Sequence, residues 1–157
     1  MRKLLTITLA SLSAIVAVFG SPQATKAYDY QGLEAQLISI INNERELVGA
    51  PPLTINWEVA RVARYKAEEM KSHKLFDHES LAYGNPAELL QHFILPSSDV
   101  GANIAMGYET PSLVMEAWLS SCGHKANIVN PSFSSVGVGL SWDDEGIPYW
   151  NLIFIAD

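Results

Sequence analysis

The strongest constraint on this chain lies near its end, where Val136, Val138, Leu140 and Trp142 alternate with Ser135, Gly137, Gly139 and Ser141. A period of two puts the apolar set on one face of a strand and the small residues on the other. The turn-forming run Asp143-Asp144-Glu145-Gly146 follows, and residues 147–155 read as the returning strand of an antiparallel hairpin. Gly137 and Gly139 share the small face, where another element can approach closely. That face is either a packing surface or the floor of a cleft.

The segments before the hairpin are mainly helical. Leu33, Leu37, Ile40, Ile41, Glu44 and Leu47 follow the helical period, and Gly49-Ala50-Pro51-Pro52 ends that helix. Asn56 suits the N-cap of a second helix over residues 57–71. Val59, Ala63, Ala67 and Met70 form its inner face, and Arg61, Arg64, Glu68 and Lys71 a solvated one. Residues 74–86 form a loop, and Pro86 opens a short helix over 87–93. A strand is expected over 100–106. Thr110 then caps a helix that begins at Pro111 and turns Leu113, Val114, Ala117 and Trp118 inward. One or two further helical turns cover 123–129. Helices first and a hairpin last indicate an α+β fold rather than a doubly wound sheet.

The first 27 residues stand apart. Arg2 and Lys3 precede an uncharged apolar run from Leu4 to Phe19, and small polar residues follow up to Ala27. This is the layout of a secretory signal peptide, with cleavage after Ala27 as the first choice and near Gly20 as the second. The alternative, an uncleaved anchor, has an apolar run short of the about 20 residues that span a bilayer. Residues 28–32 then form a short lead and 33–157 the domain. Removing residues 1–27 takes away Arg2, Lys3 and Lys26 and no acid, so the formal net charge moves from −7 to −10. Such a surface repels nucleic acid and anionic membranes. With one cysteine, Cys122, no internal disulfide can form. The domain must rest on its core, for which 48% apolar residues, with Trp57, Trp118, Trp142 and Trp150 among them, supply the material.

Candidate chemistry is sparse. Of the four histidines, His78 lies in a loop after Phe76-Asp77 and His124 follows Gly123 at a helix start. No H-x-x-x-H or C-x-x-C spacing provides a local metal motif. Cys122 and His124 are too close in sequence to be diagnostic of a nucleophile and its base, and an inert, at least partly buried thiol is expected. Ser120 and Ser121 lie in no G-x-S-x-G elbow.

Taken in order, these motifs resemble those of the CAP superfamily: the cysteine-rich secretory, antigen-5 and pathogenesis-related proteins, or SCP domains. Asn42-Asn43-Glu44-Arg45 with the later Pro52-Leu53-Thr54-Ile55-Asn56 resembles its opening, Phe76-Asp77-His78 its F-[SD]-H, and Gly101-Ala102-Asn103-Ile104-Ala105 its G-E-N-I-A. Trp118-Leu119-Ser120-Ser121-Cys122-Gly123-His124-Lys125-Ala126-Asn127-Ile128 resembles W-M-N-S-P-G-H-R-x-N-I-L. Val136-Gly137-Val138-Gly139 and Tyr149-Trp150-Asn151-Leu152-Ile153-Phe154 resemble the closing strands.

The resemblance implies a three-layer α-β-α sandwich around a central antiparallel sheet, in a protein that is secreted or associated with the cell envelope. It implies a cleft at His78 and His124, with Ser121 and Asn103 beside them. In the family two histidines and two glutamates there can hold a divalent metal. Here the glutamate positions carry Ala102 and Ser121, Leu152 replaces a glutamine, and Cys122 replaces a proline. Two imidazoles alone make a poor Zn²⁺ site, at most a weak one, and alanine can neither accept a proton nor orient a water. The expected function is a non-enzymatic binding module for a lipid, peptide or cell-wall ligand. The alternative is a hydrolase, a metal-dependent or histidine-assisted peptidase or esterase, using His78 and His124 with Glu79, Ser121 or Cys122.

Overall fold

The computed structural model describes residues 29–156. The signal-peptide expectation for residues 1–27 lies outside them. Among the described residues, five helices and one four-stranded sheet follow in the order α1 (Tyr30–Leu47), β1 (Thr54–Ile55), α2 (Trp57–His73), α3 (Pro86–His92), β2 (Val100–Met106), α4 (Pro111–Leu119), α5 (Cys122–Val129), β3 (Ser135–Trp142) and β4 (Pro148–Ile155). The strand order is β1-β3-β4-β2. β3 pairs with β4 and β4 with β2, both antiparallel, while the two-residue β1 pairs with β3 in parallel.

The hairpin alternation sets up two cores, one on each side of the sheet. Val136, Val138 and Leu140 join Leu152, Phe154 and Trp150 under α1, α4 and α5, with Leu37, Ile41, Val114, Trp118 and Ile128. On the opposite face Ile153 and Ile155 meet Val59, Val62, Leu89 and Leu90 of α2 and α3. The result is the expected α-β-α sandwich.

The small face of β3 is a packing surface, since a Cβ on Gly137 would strike the backbone of Val59 and Ala60, and one on Gly139 the backbone of Ala63 and Arg64. Ser141 continues the series by donating to Glu68 Oε2 at 2.7 Å. Four residues of helix rise about 6 Å and two of strand about 6.6 Å, so α2 runs along β3 in step, its backbone against Gly137 and Gly139 and its Glu68 side chain against Ser141.

Several expectations shift in the structure. α1 starts at Tyr30, because the Asp29 carboxylate accepts from Gly32 N at 3.0 Å and caps it. Leu47, expected on its apolar stripe, is 82% exposed, and Arg45 is buried instead. Leu113 faces outward and Met115 inward on α4, and Trp57, counted as core material, is exposed. On the expected solvated face of α2, Arg64 forms an ion pair with the buried Glu34 of α1, Nε to Oε1 2.9 Å. The Thr110 cap and Pro111 start of α4 are as expected.

Candidate functional site

The candidate site lies at the β2 edge of the sheet, between the loop after α2 and the first turn of α5. Neighbouring helices satisfy the outward carbonyls of β2. Trp118 Nε1 donates to Ile104 O at 2.9 Å, and Asn127 Nδ2 donates to Ala102 O at 3.2 Å. This packing brings α5, and with it His124, against the strand.

Two buried groups hold α5 in place. Asn103 is fully buried, donating through Nδ2 to His124 O at 3.0 Å and accepting from Asn127 Nδ2 at 2.9 Å. Arg45, also fully buried, fans its guanidinium over four carbonyls. Nε donates to Pro51 O at 2.7 Å, Nη1 to Ile128 O at 2.9 Å and Asn130 O at 2.8 Å, and Nη2 to Phe133 O at 3.0 Å. Two of those carbonyls close the C-terminal end of α5, where a cation also meets the negative end of the helix dipole. Burial lowers the Arg45 pKa, yet the guanidinium remains charged. The family motifs name Arg45 and Asn103, but their role here is to hold the site. Asn103 has no surface with which to line the cleft.

His78 and His124 come together with ring centroids 6.1 Å apart and planes inclined by 34°. Beside His124 opens an apolar groove of about 320 Å³, whose lining includes Phe76, Met106, Tyr108, Ala117 and Ser121. Tyr108 is fixed at its rim by Trp150, whose Nε1 donates to Tyr108 O at 2.7 Å. Ser121 occupies the N-cap of α5, but its hydroxyl makes no capping bond. The first-turn amides of that helix are therefore left to other acceptors.

Cys122 is exposed, contrary to expectation. Ile128 is the residue that α5 buries, so the first turn of the helix projects past the sheet. Ala102 is half-buried and presents a methyl group where the family has a carboxylate. Asp77 could orient an imidazole, but its Oδ1 accepts from Glu79 N at 3.0 Å within its own loop. Among the described residues no three His, Cys, Asp or Glu side chains are grouped to share a metal ion. The donor set therefore does not fit the divalent metal that the resemblance implies.

Both imidazoles titrate below their ordinary value. Desolvation is the main cause at His78, reinforced by the neighbouring His124 and opposed by Asp77; at His124 desolvation is the cause. Below about pH 6.5 the unfolded chain then binds protons that the folded one does not, so stability falls with pH until the folded values are reached. The neighbouring Glu69 titrates elsewhere: burial pushes it up, but bonds from Lys66 and Ser80 outweigh this and hold it below the usual carboxylate value. Urea midpoints between about pH 7.5 and pH 5.5 should fall in the native protein and fall less in His78→Gln/His124→Gln. Equal slopes in the two proteins would contradict this assignment.

The model of the CAP family, described as "Cysteine-rich secretory protein family", matches residues 38–154. The Bacillus subtilis protein YkwD is 38% identical over 119 residues, which cover 76% of this chain and 44% of that protein. The chain thus spans less than half the length of this curated relative. An extracellular SCP-domain protein from Bacillus anthracis superposes with a TM-score of 0.76 at 26% identity, covering 82% of this chain and 41% of that one. An outer surface protein of Borrelia burgdorferi, 20% identical, shares the fold with a TM-score of 0.72, covering 77% and 90% respectively. Among the described residues no helix is long and apolar enough to cross a membrane. With the family model matched from α1 to β4 and the sandwich built as described, the chain belongs to the cysteine-rich secretory protein family, CAP.

Proposed function

We propose that this domain is an extracellular or envelope-associated binding module, and that its ligand combines an apolar portion with a hydrogen-bond acceptor. One observation carries the reading: the His78 and His124 rings lie 6.1 Å apart, no third His, Cys, Asp or Glu among the described residues groups with them to hold a metal, and His124 lines an apolar groove. Neutral imidazoles and the uncapped first turn of α5 offer N–H donors to an acceptor such as a carboxylate. Phe76, Met106 and Tyr108 offer apolar surface, each between 38% and 49% exposed. The location outside the cell is supported by the leader-like residues 1–27 and by the extracellular and surface proteins of similar fold.

A hydrolytic site needs a base held by a third group and a stabiliser for developing charge. Here Ala102 presents only a methyl group, and among the described residues the Asp77 carboxylate bonds Glu79 N rather than either imidazole.

The test pairs two titrations with one assay. N-acetylphenylalanine, an aromatic ring carrying a carboxylate, should shift the amide resonances of Tyr108, Ala117, Ser121 and His124, and His124→Ala should abolish the effect. Zn²⁺ should bind more weakly than about 1 μM, as expected of two imidazoles alone. p-Nitrophenyl acetate should hydrolyse no faster than with equimolar free imidazole. Tight Zn²⁺ binding lost in His78→Ala, or esterase activity lost in His124→Ala, would replace the binding module with the hydrolase.

A further inference from the structure

Lys66 and Glu69 are buried side by side on α2, their side chains 3% and 6% exposed, with Nζ 2.9 Å from Oε2. The core beneath α2 is already built from Val59, Ala63 and Met70. An ion pair desolvated to this degree gains little over two well-packed apolar side chains. Its bonds instead reach into the loop that carries His78. Lys66 Nζ donates to Glu79 O at 2.6 Å, and Ser80 Oγ donates to Glu69 Oε1 at 2.7 Å. The Ser80 backbone in turn pairs with Gly84 on both sides. At the near end of the loop, Leu75 N donates to Met70 O at 3.1 Å, just past the left-handed Lys74.

His78 thus sits in a short span fixed at both ends, and the far anchor is the buried ion pair. We propose that Lys66 and Glu69 are positioning residues of the cleft, clamping Glu79 and Ser80 so that the His78 ring faces His124. The clamp deepens the binding reading, because it presets one wall of the ligand site before any ligand arrives. Its counterpart on the other wall is the Asn103–Asn127 pair at His124. Lys66 and Glu69 touch no ligand in this scheme; their effect is transmitted through the loop backbone.

The test uses the full chain without ligand. The reading is the nuclear Overhauser effect between the ring protons of His78 and His124. Lys66→Met/Glu69→Leu should keep the melting temperature within about 5 °C, since an apolar replacement of a buried pair is close to neutral, and should lose the cross-ring effect. Glu69→Gln, which can still bond both Lys66 and Ser80, should retain it. Ser80→Ala removes one link only and should weaken it, and this variant decides the matter if the double variant does not fold. A cross-ring effect of native strength in the double variant, or in Ser80→Ala, would overturn the clamp. Because no ligand is present, that result would leave the N-acetylphenylalanine titration untouched. Failure of the titration would equally leave the clamp standing.

Discussion

Arg45→Met should lower stability by about 4 kcal/mol, a large share of the 5–15 kcal/mol typical of a domain. Methionine keeps the apolar stem in its place but removes every donor. The carbonyls of Pro51, Ile128, Asn130 and Phe133 then lose the group that joins them. Each buried acceptor left without a donor costs about 1–3 kcal/mol, offset where water can enter. Among the described residues no carboxylate pairs with this guanidinium, so neutralising it leaves no opposing charge buried. The loss is one of hydrogen bonds. Arg45→Lys should recover only part of it, because one compact ammonium cannot span four carbonyls placed around a planar fork. Thermal unfolding should show a fall of more than about 10 °C for Arg45→Met. Hydrogen exchange should show the first loss of protection in α5, whose C-terminal carbonyls Arg45 holds. A loss below about 1 kcal/mol would mean that the four carbonyls are satisfied without it.

Arg45 also marks where hydrophobic periodicity stops being informative. The helical period of α1 points to Glu44 and Leu47 at its end, while the buried arc is Glu34, Leu37, Ile38, Ile41 and Arg45. Its polar ends are buried because their partners arrive from elsewhere: Arg64 of α2 for Glu34, and carbonyls more than 80 residues away for Arg45. The burial of Lys66 and Glu69 is hidden in sequence for the same reason. β1 escapes because it is two residues long and is defined by its pairing with β3 and the residue before it, with Thr54 N donating to Ser134 O and Asn56 N to Val136 O. What local chemistry dictates was legible: the Thr110-Pro111 helix start, the Asn56 cap and the β3 alternation. The approach of His78 to His124 was legible only through the ordered motifs. No spacing rule brings His78 to His124, since two helices and a strand separate them and buried amides set the final approach.

The β3 alternation also carries a large predicted effect. Gly139→Ala should destabilise the domain by about 3 kcal/mol or more, at or beyond the upper end of ordinary overpacking. The added methyl would overlap the carbonyl of Ala63 and the amide nitrogen of Arg64. Overpacked cores usually recover by turning a side chain, but here the obstacle is helix backbone, which can retreat only if all of α2 lifts from β3. Lifting α2 would also break the Ser141–Glu68 bond and open the packing around Ile153. Gly137→Ala meets the same obstacle one helical turn earlier, at Ala60. Ala63→Gly should not rescue Gly139→Ala, because the colliding atoms belong to the main chain. Gly123→Ala provides the contrast, as nothing stands within 4 Å of the methyl it would add. That change should be neutral or stabilising by up to about 1 kcal/mol through reduced freedom of the unfolded chain. Urea unfolding of the four variants separates the cases. If Gly139→Ala loses less than about 1 kcal/mol, or is restored by Ala63→Gly, the β3 glycines are not what seats α2 on the sheet.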